Sequence, residues 1–386
     1  MKKWISALLA AMMCLSLGAC TIGETDGEQT EPSLQTQPTE AQPGSVRILN
    51  KDPSLQQVWE ALAGEYETLT GTKVTVLTSD QDQQPTLREV AGVEELPEHC
   101  ADLSGSEVCA QLASWELTLR DEQGRVCAVA AEAEVYGLVY NSTLLAKTSN
   151  TRGDINSFTD LTEVVYSITD KQQDLGFSAF VRVAAEPLFL TRLAALTEDA
   201  RSLLDLIINN TTCELHLLED CTQEEALQDF LEGKAVFFLA GSREQETLME
   251  LGSRNTGVLP VYTGVGNEEN QSLCVAASRY WCVDQDQPET DVQATVDFLN
   301  FLVKPRADGS VPADDLERMA PYRRAARVSN VLESVFRNDL AAGKEPVVCR
   351  YVEAAPQALA QALLNYADNP SDDNWNSILQ IIETKG

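Results

Sequence analysis

Residues 46–77 read VRILNKDPSLQQVWEALAGEYETLTGTKVTVL, and the order of elements in this stretch decides the fold class. Val46-Arg47-Ile48-Leu49 is a short apolar strand. Asp52 or Ser54 then caps a helix whose apolar positions Leu55, Val58, Trp59, Leu62 and Tyr66 recur at helical spacing. The helix stops near Thr70-Gly71, and Lys73 to Leu77 returns as a strand in which Val74 and Val76 alternate with polar residues. Strand, helix and strand in this order predict a crossover between parallel strands, the unit of an α/β sheet.

The alternation continues downstream. Tyr136 to Tyr140 reads as a strand, and Phe158 to Ile168 as a helix opened by Ser157. Glu224 to Leu231 is a helix that stops at Gly233, followed by a strand from Ala235 to Leu239. Thr256 to Val261 reads as a strand and Asp291 to Val303 as an amphipathic helix. A body running from Val46 to the C-terminus is too long for one small core and predicts two lobes.

What precedes the body is of another kind. Lys2 and Lys3 open the chain, and Trp4 to Ala19 is an apolar run ending in Leu17-Gly18-Ala19-Cys20. The run is shorter than the roughly 20 apolar residues that span a bilayer and has the layout of a secretory signal. Small residues directly before a cysteine resemble a bacterial lipobox. That resemblance implies a signal peptide over 1–19, cleavage before Cys20 and a lipid on its sulfur, with two acyl chains holding the protein at the outer face of the cytoplasmic membrane. Residues 20–44 are rich in Gly, Glu, Thr, Gln and Pro and nearly free of large apolar side chains, the composition of a flexible tether.

Charge narrows the partners. Lys and Arg total 28 against 60 Asp and Glu, a formal net charge of -32. Nucleic acid is not an expected partner, because phosphate binding needs a basic face. The cysteines left after Cys14 and Cys20 have no CxxC spacing and only His99 and His216 as imidazole partners, so no metal site is expected. Several lie inside apolar runs such as Val347-Val348-Cys349, where a small buried hydrophobe is the expected role; Cys213 with Cys221 is the pair to test for a disulfide.

Several segments resemble, in family order, extracellular solute-binding proteins of the maltose-binding type, a carbohydrate-uptake group of Gram-positive bacteria. The opening strand and helix with Thr70-Gly71-Thr72-Lys73-Val74 match the start of that family. Glu134-Val135-Tyr136-Gly137-Leu138-Val139-Tyr140-Asn141 matches its hinge strand, and Gly233-Lys234-Ala235-Val236-Phe237-Phe238 with Gly241-Ser242 a strand of its second lobe. Gly257 to Gly264, Glu269-Asn270-Gln271 and Tyr280-Trp281-Cys282-Val283 match the return crossing. The resemblance implies a two-lobed periplasmic-binding-protein-like class II fold with hinge crossovers. Lobe one would comprise 45–133 with 278–319, and lobe two 134–277 with 320–386. The implied role is capture of a small solute, a sugar or oligosaccharide, for the permease of an ABC importer, by a monomeric lipoprotein without cofactor.

The departures from the family shape the expected site. Ala130 and Ala131 stand where sugar-binding members carry a Pro-aromatic pair, Arg243 stands where Trp is common, and the stretch from Ser79 to Leu103 looks shortened. The expected ligand residues are Glu134 as an acceptor, Arg243 as a donor suited to a carboxylated sugar, and Tyr262, Tyr322 and Trp281 as ring faces. The expected hinge is Val135, Tyr136, Leu273 and Ser278. The alternative is a degenerate binding protein kept as a sensor or accessory lipoprotein. Catalysis is not expected: Gly105-Ser106 and Gly241-Ser242 lack the second glycine of a nucleophile elbow, and Glu132 with Glu134 is an unremarkable pairing in so acidic a chain.

Overall fold

Among the described residues ten strands join in one mixed sheet, and the two longest of them decide its layout. The computed structural model describes residues 44–80, 83–181, 201–212, 220–243, 255–262, 272–349 and 356–383. The strands are β1 (Val46–Leu49), β2 (Val74–Leu77), β3 (Leu87–Val90), β4 (Thr118–Arg120), β5 (Val126–Asn141), β6 (Ser178–Phe180), β7 (Ala235–Gly241), β8 (Thr256–Leu259), β9 (Cys274–Val283) and β10 (Val347–Val348). Their order along the sheet is β2-β1-β3-β9-β5-β7-β6, with β10 beside β9 and both β4 and β8 beside β5.

The opening unit forms as its residues dictate. β1 pairs parallel with β2, Val46 opposite Val74, and between them runs the helix Gln56–Thr70. Asp52 caps a preceding turn of 3-10 helix by accepting from the Ser54 amide. Gly71, with φ of 75°, closes the helix in the left-handed conformation that glycine adopts without a Cβ clash. The helix buries Trp59, Leu62, Ala63 and Tyr66. Tyr66 and Trp59 meet Phe298 of the helix Glu289–Leu302 at ring distances of 5.1 and 6.5 Å. The helices at Phe158–Asp170, capped by Ser157, and Gln223–Leu231, capped by Thr222, also stand close to their expected positions.

β5 and β9 pair antiparallel over most of their length, but not in one register. Ala128 lies opposite Cys282 and Ala130 opposite Tyr280; the register then slips around Glu132 and resumes with Ala133 opposite Ala277 and Tyr136 opposite Cys274. On one side of the slip the neighbours are β3 and β4; on the other they are β7, β8 and β10. An irregularity of this kind bends strands locally. The strand expected at Tyr136–Tyr140 is thus the far half of a 16-residue strand. The stretch from Ser79 to Leu103 holds β3, parallel to β1 and antiparallel to β9, which periodicity did not reveal.

Gly137, within β5, is a packing requirement. A Cβ there would lie 2.5 Å from Leu332 Cδ2 and 2.9 Å from Val258 Cγ1. Near the C-terminus the helices Pro356–Asp368 and Asp372–Glu383 meet through Tyr366 and Trp375, whose rings are 5.6 Å apart.

Candidate functional site

The register slip between β5 and β9 gathers charged side chains from distant parts of the chain. Glu134, nearly inaccessible at 2% exposure, receives a hydrogen bond from the Tyr136 hydroxyl at 3.1 Å. Val135 binds Ser242 twice: its amide donates to Ser242 Oγ at 3.0 Å, and its carbonyl accepts from the Ser242 amide at 2.8 Å. This pins the residue after β7 to β5 and sets Arg243 beside it. Arg243 Nη2 reaches Glu132 Oε1 at 3.1 Å, and its Nε stands 3.8 Å from Glu134 Oε2.

Arg318 is the second anchor, reaching the same Glu132 from the other direction. Its Nη1 donates to both Glu89 oxygens at 3.0 and 2.8 Å and lies 3.6 Å from Glu132 Oε2, while Nη2 meets Asp52 Oδ2 at 3.3 Å. Burial works against its charge, but Glu89, Glu132 and Asp52 more than offset that and raise its pKa above the ordinary arginine value. Hydrogen bonds from Ser54, with a smaller contribution from Arg318, hold the Asp52 carboxyl below the usual aspartate range. Arg279, opposite Glu132 in the ladder, stands 4.0 Å from Glu89. The residue before Arg318 is strained: Glu317 has φ of 56°, a left-handed conformation rare for a residue with a Cβ.

Asp52, Glu89, Arg279 and Arg318, with Asn50, Lys51, Glu95 and Trp281 among others, line a cavity of about 270 Å³; Glu132, Glu134 and Arg243 adjoin this cluster without lining the cavity. It opens beyond the carboxyl ends of the parallel strands β1 and β3, where α/β sheets place their ligands. Its volume approaches the lower range for small-molecule sites.

The residues expected from sequence are not all at this place. Glu134 and Arg243 come together, and Trp281 lines the cavity. Tyr322 is fully buried, donates its hydroxyl to the Ala130 carbonyl at 2.6 Å and stacks on Trp281 at 6.1 Å. Tyr262 is likewise buried and donates to the Ile155 carbonyl at 3.2 Å. Both rings are therefore core here and present no face to a ligand; desolvation raises both phenol pKa values. Of the expected hinge positions, Val135 and Tyr136 lie on β5 just past the slip, and Ser278 is buried within it. Leu273 directly precedes β9, and its carbonyl accepts from Val347. Glu89 and Arg318 were missed, each resembling an ordinary surface charge in sequence, while Asp52 was read only as a helix cap and Glu132 only as half of an acid pair. Cys20, Cys213 and the segment Glu269-Asn270-Gln271 lie outside the described residues.

A family model for bacterial extracellular solute-binding proteins matches residues 39–308. No curated protein matches the chain by sequence. Among solved structures, apo RafE from Streptococcus pneumoniae aligns with a TM-score of 0.62 at 11% identity, covering 89% of this chain and 98% of that one. RafE in complex with raffinose aligns at 0.53 and 11% identity, covering 88% and 99%. A probable secreted solute-binding lipoprotein from Streptomyces coelicolor aligns at 0.62 and 14% identity, covering 89% and 100%. The fold is that of the two-lobed periplasmic-binding-protein-like α/β structures. The chain belongs to the bacterial extracellular solute-binding protein family, a family of extracytoplasmic binding proteins.

Proposed function

We propose that this protein is the sugar receptor of an ABC importer, tethered outside the cytoplasmic membrane through lipid on Cys20, acting as a monomer and without catalysis. The observation that carries the reading is the polar cavity beyond β1 and β3, organised by Arg318 and adjoining the slipped β5–β9 ladder. A slipped ladder between two groups of strands is a natural pivot, and closure about a hinge around ligand is a standard motion of two-lobed receptors. The raffinose bound by a structural neighbour, RafE, supports a saccharide ligand. The higher likeness to unliganded RafE than to its raffinose complex supports reading the present arrangement as open.

Glu134, Arg243 and Trp281 remain ligand residues in this reading, joined by Asp52, Glu89, Glu132 and Arg318; Tyr262 and Tyr322 do not. Calorimetry of the folded body against neutral mono-, di- and trisaccharides tests it. A saccharide that binds, compacts the protein in small-angle scattering and loses several-fold affinity in Glu134→Ala or Arg243→Ala is the expected result. Absence of binding across the panel refutes the sugar reading.

A further inference from the structure

Asp52, Arg318, Glu132, Arg243 and Glu134 form a chain of alternating charge that crosses the β5–β9 ladder at its slip. Arg318 belongs to the side of β1 and β3, where its guanidinium holds Glu89 Oε2 at 2.8 Å and Asp52 Oδ2 at 3.3 Å. Arg243 belongs to the other side. Ser242 before it is tied to Val135, and the Ser242 carbonyl accepts from Asn330 Nδ2 at 2.8 Å, at the cap of the helix Val331–Ala341. The two arginines meet on Glu132, and the register breaks on either side of that residue. We propose that Glu132 acts through its two arginines as an ionic latch, holding the ligand-free arrangement until a solute in the cavity draws Arg318 away. The inference rests on the solute-receptor reading above, deepening it from where a solute binds to how binding reaches the ladder.

A carboxylate shared by guanidiniums anchored on different groups of strands fixes their separation, so rotation about the slip must break a contact. These contacts are partly withdrawn from water, with Glu132 18% and Arg318 17% exposed, and so are stronger than pairs in open solvent. They are also unequal. Arg243 Nη2 hydrogen-bonds Glu132 Oε1 at 3.1 Å, whereas Arg318 Nη1 stands 3.6 Å from Oε2 and spends its hydrogen bonds on Glu89. The Arg318 contact is therefore the weak link, and it belongs to the residue that lines the cavity. A solute oxygen accepting from Arg318 competes with Glu132 for the same guanidinium. A ligand shifts an equilibrium only by interacting differently with its two states, and loss of this contact supplies such a difference. The positive φ of Glu317 fits the same picture, because backbone strain tends to be held where a side chain must be aimed.

The test needs no solute. Small-angle scattering of the ligand-free protein is compared for wild type, Glu132→Gln, Arg243→Gln and the double variant, with melting curves confirming that each is folded. Glutamine keeps the shape of Glu132 but not its charge, which weakens both arginine contacts. Each single variant is expected to have a smaller radius of gyration than wild type, as its population of the compact state rises about fivefold. The direction is diagnostic, because mere loosening of the fold would enlarge the radius. The double variant is expected to move little beyond Glu132→Gln, since both changes remove the same contact. An unchanged or larger radius in both folded single variants overturns the inference, and so does a double variant whose shift is the full sum of the two. Because every sample is free of ligand, failure of the sugar reading in calorimetry is a separate result.

Discussion

Replacing Arg318 by alanine should destabilise the protein even without ligand, and the expected size follows from what the guanidinium touches. It donates to both oxygens of Glu89 and to Asp52, and it neutralises Glu132. Breaking a fully buried pair from one side costs about 3–5 kcal/mol. Here the partners keep some water: Glu89 is 23% exposed and Asp52 43%. Solvent therefore takes over part of the lost interaction, and the expectation falls to about 2 kcal/mol. For a body of this size, 1 kcal/mol moves the melting temperature by roughly 2 °C, so a drop of about 4 °C is expected. Arg318→Lys, which keeps the charge but not the planar fork, should fall between wild type and alanine. In a double-mutant cycle with Glu89→Gln, the two losses should overlap by about 1 kcal/mol or more, because they remove the same contact. Melting followed by circular dichroism reads all of these. A shift under about 1 °C for Arg318→Ala, or strictly additive losses in the cycle, would refute the view of Arg318 as the organiser of the site.

Four further outcomes are expected. Gly137→Ala should cost about 1–3 kcal/mol by forcing Leu332 and Val258 aside, and an unchanged urea midpoint would contradict the packing described. The Cys100 and Cys282 thiols, pushed up to about 12 by burial first and by neighbouring groups second, should resist iodoacetamide at pH 8 in the native protein; mass spectrometry should find them labelled only after guanidinium is added. Burial raises the Asp291 carboxyl, but hydrogen bonds from Arg47 and Ser45 outweigh this and leave it below its ordinary value of 3.8. Its contribution is thus present above that value and lost as pH falls through the lower folded value, so urea midpoints at pH 7 and pH 3 should differ more in wild type than in Asp291→Asn. Fatty-acid labelling in a bacterial host should mark the wild type and not Cys20→Ser; equal labelling of both would remove the proposed anchor.

The parts of this fold that were legible in sequence are those in which local pattern and tertiary role agree. Val46 to Leu77 could be read because the apolar period, the Asp52 cap and the left-handed Gly71 all point the same way within one short stretch. The long strand β5 was only half legible. Val126 to Ala131 is buried on both faces, and a continuous apolar run carries no alternation that separates it from core of any other kind. The aromatics failed for a related reason: periodicity marks a residue as apolar but not the side of the sheet on which its ring ends. Tyr322 and Tyr262 went to the core, with backbone carbonyls satisfying their hydroxyls.

The site itself was largely illegible because its bonds are long-range. Arg318 and Glu89 are separated by 229 residues, and Arg318 follows Asp314-Asp315-Leu316-Glu317, which reads as a solvated charged run. Nothing local distinguishes that arginine from its neighbours until the chain turns at Glu317 with a positive φ and points it inward. That conformation costs an L-residue about 1 kcal/mol or more, and it persists only where surrounding contacts over-determine it. The contacts that do so are the carboxylates of Asp52, Glu89 and Glu132, drawn from the loop after β1, from β3 and from the slipped part of β5. The same side chain thus ties the wall of the cavity to β5. In the proposed reading, a solute hydrogen-bonding to Arg318 or to its carboxylates touches groups whose geometry depends on the β5–β9 ladder, so its occupation of the cavity would bias any movement about that ladder.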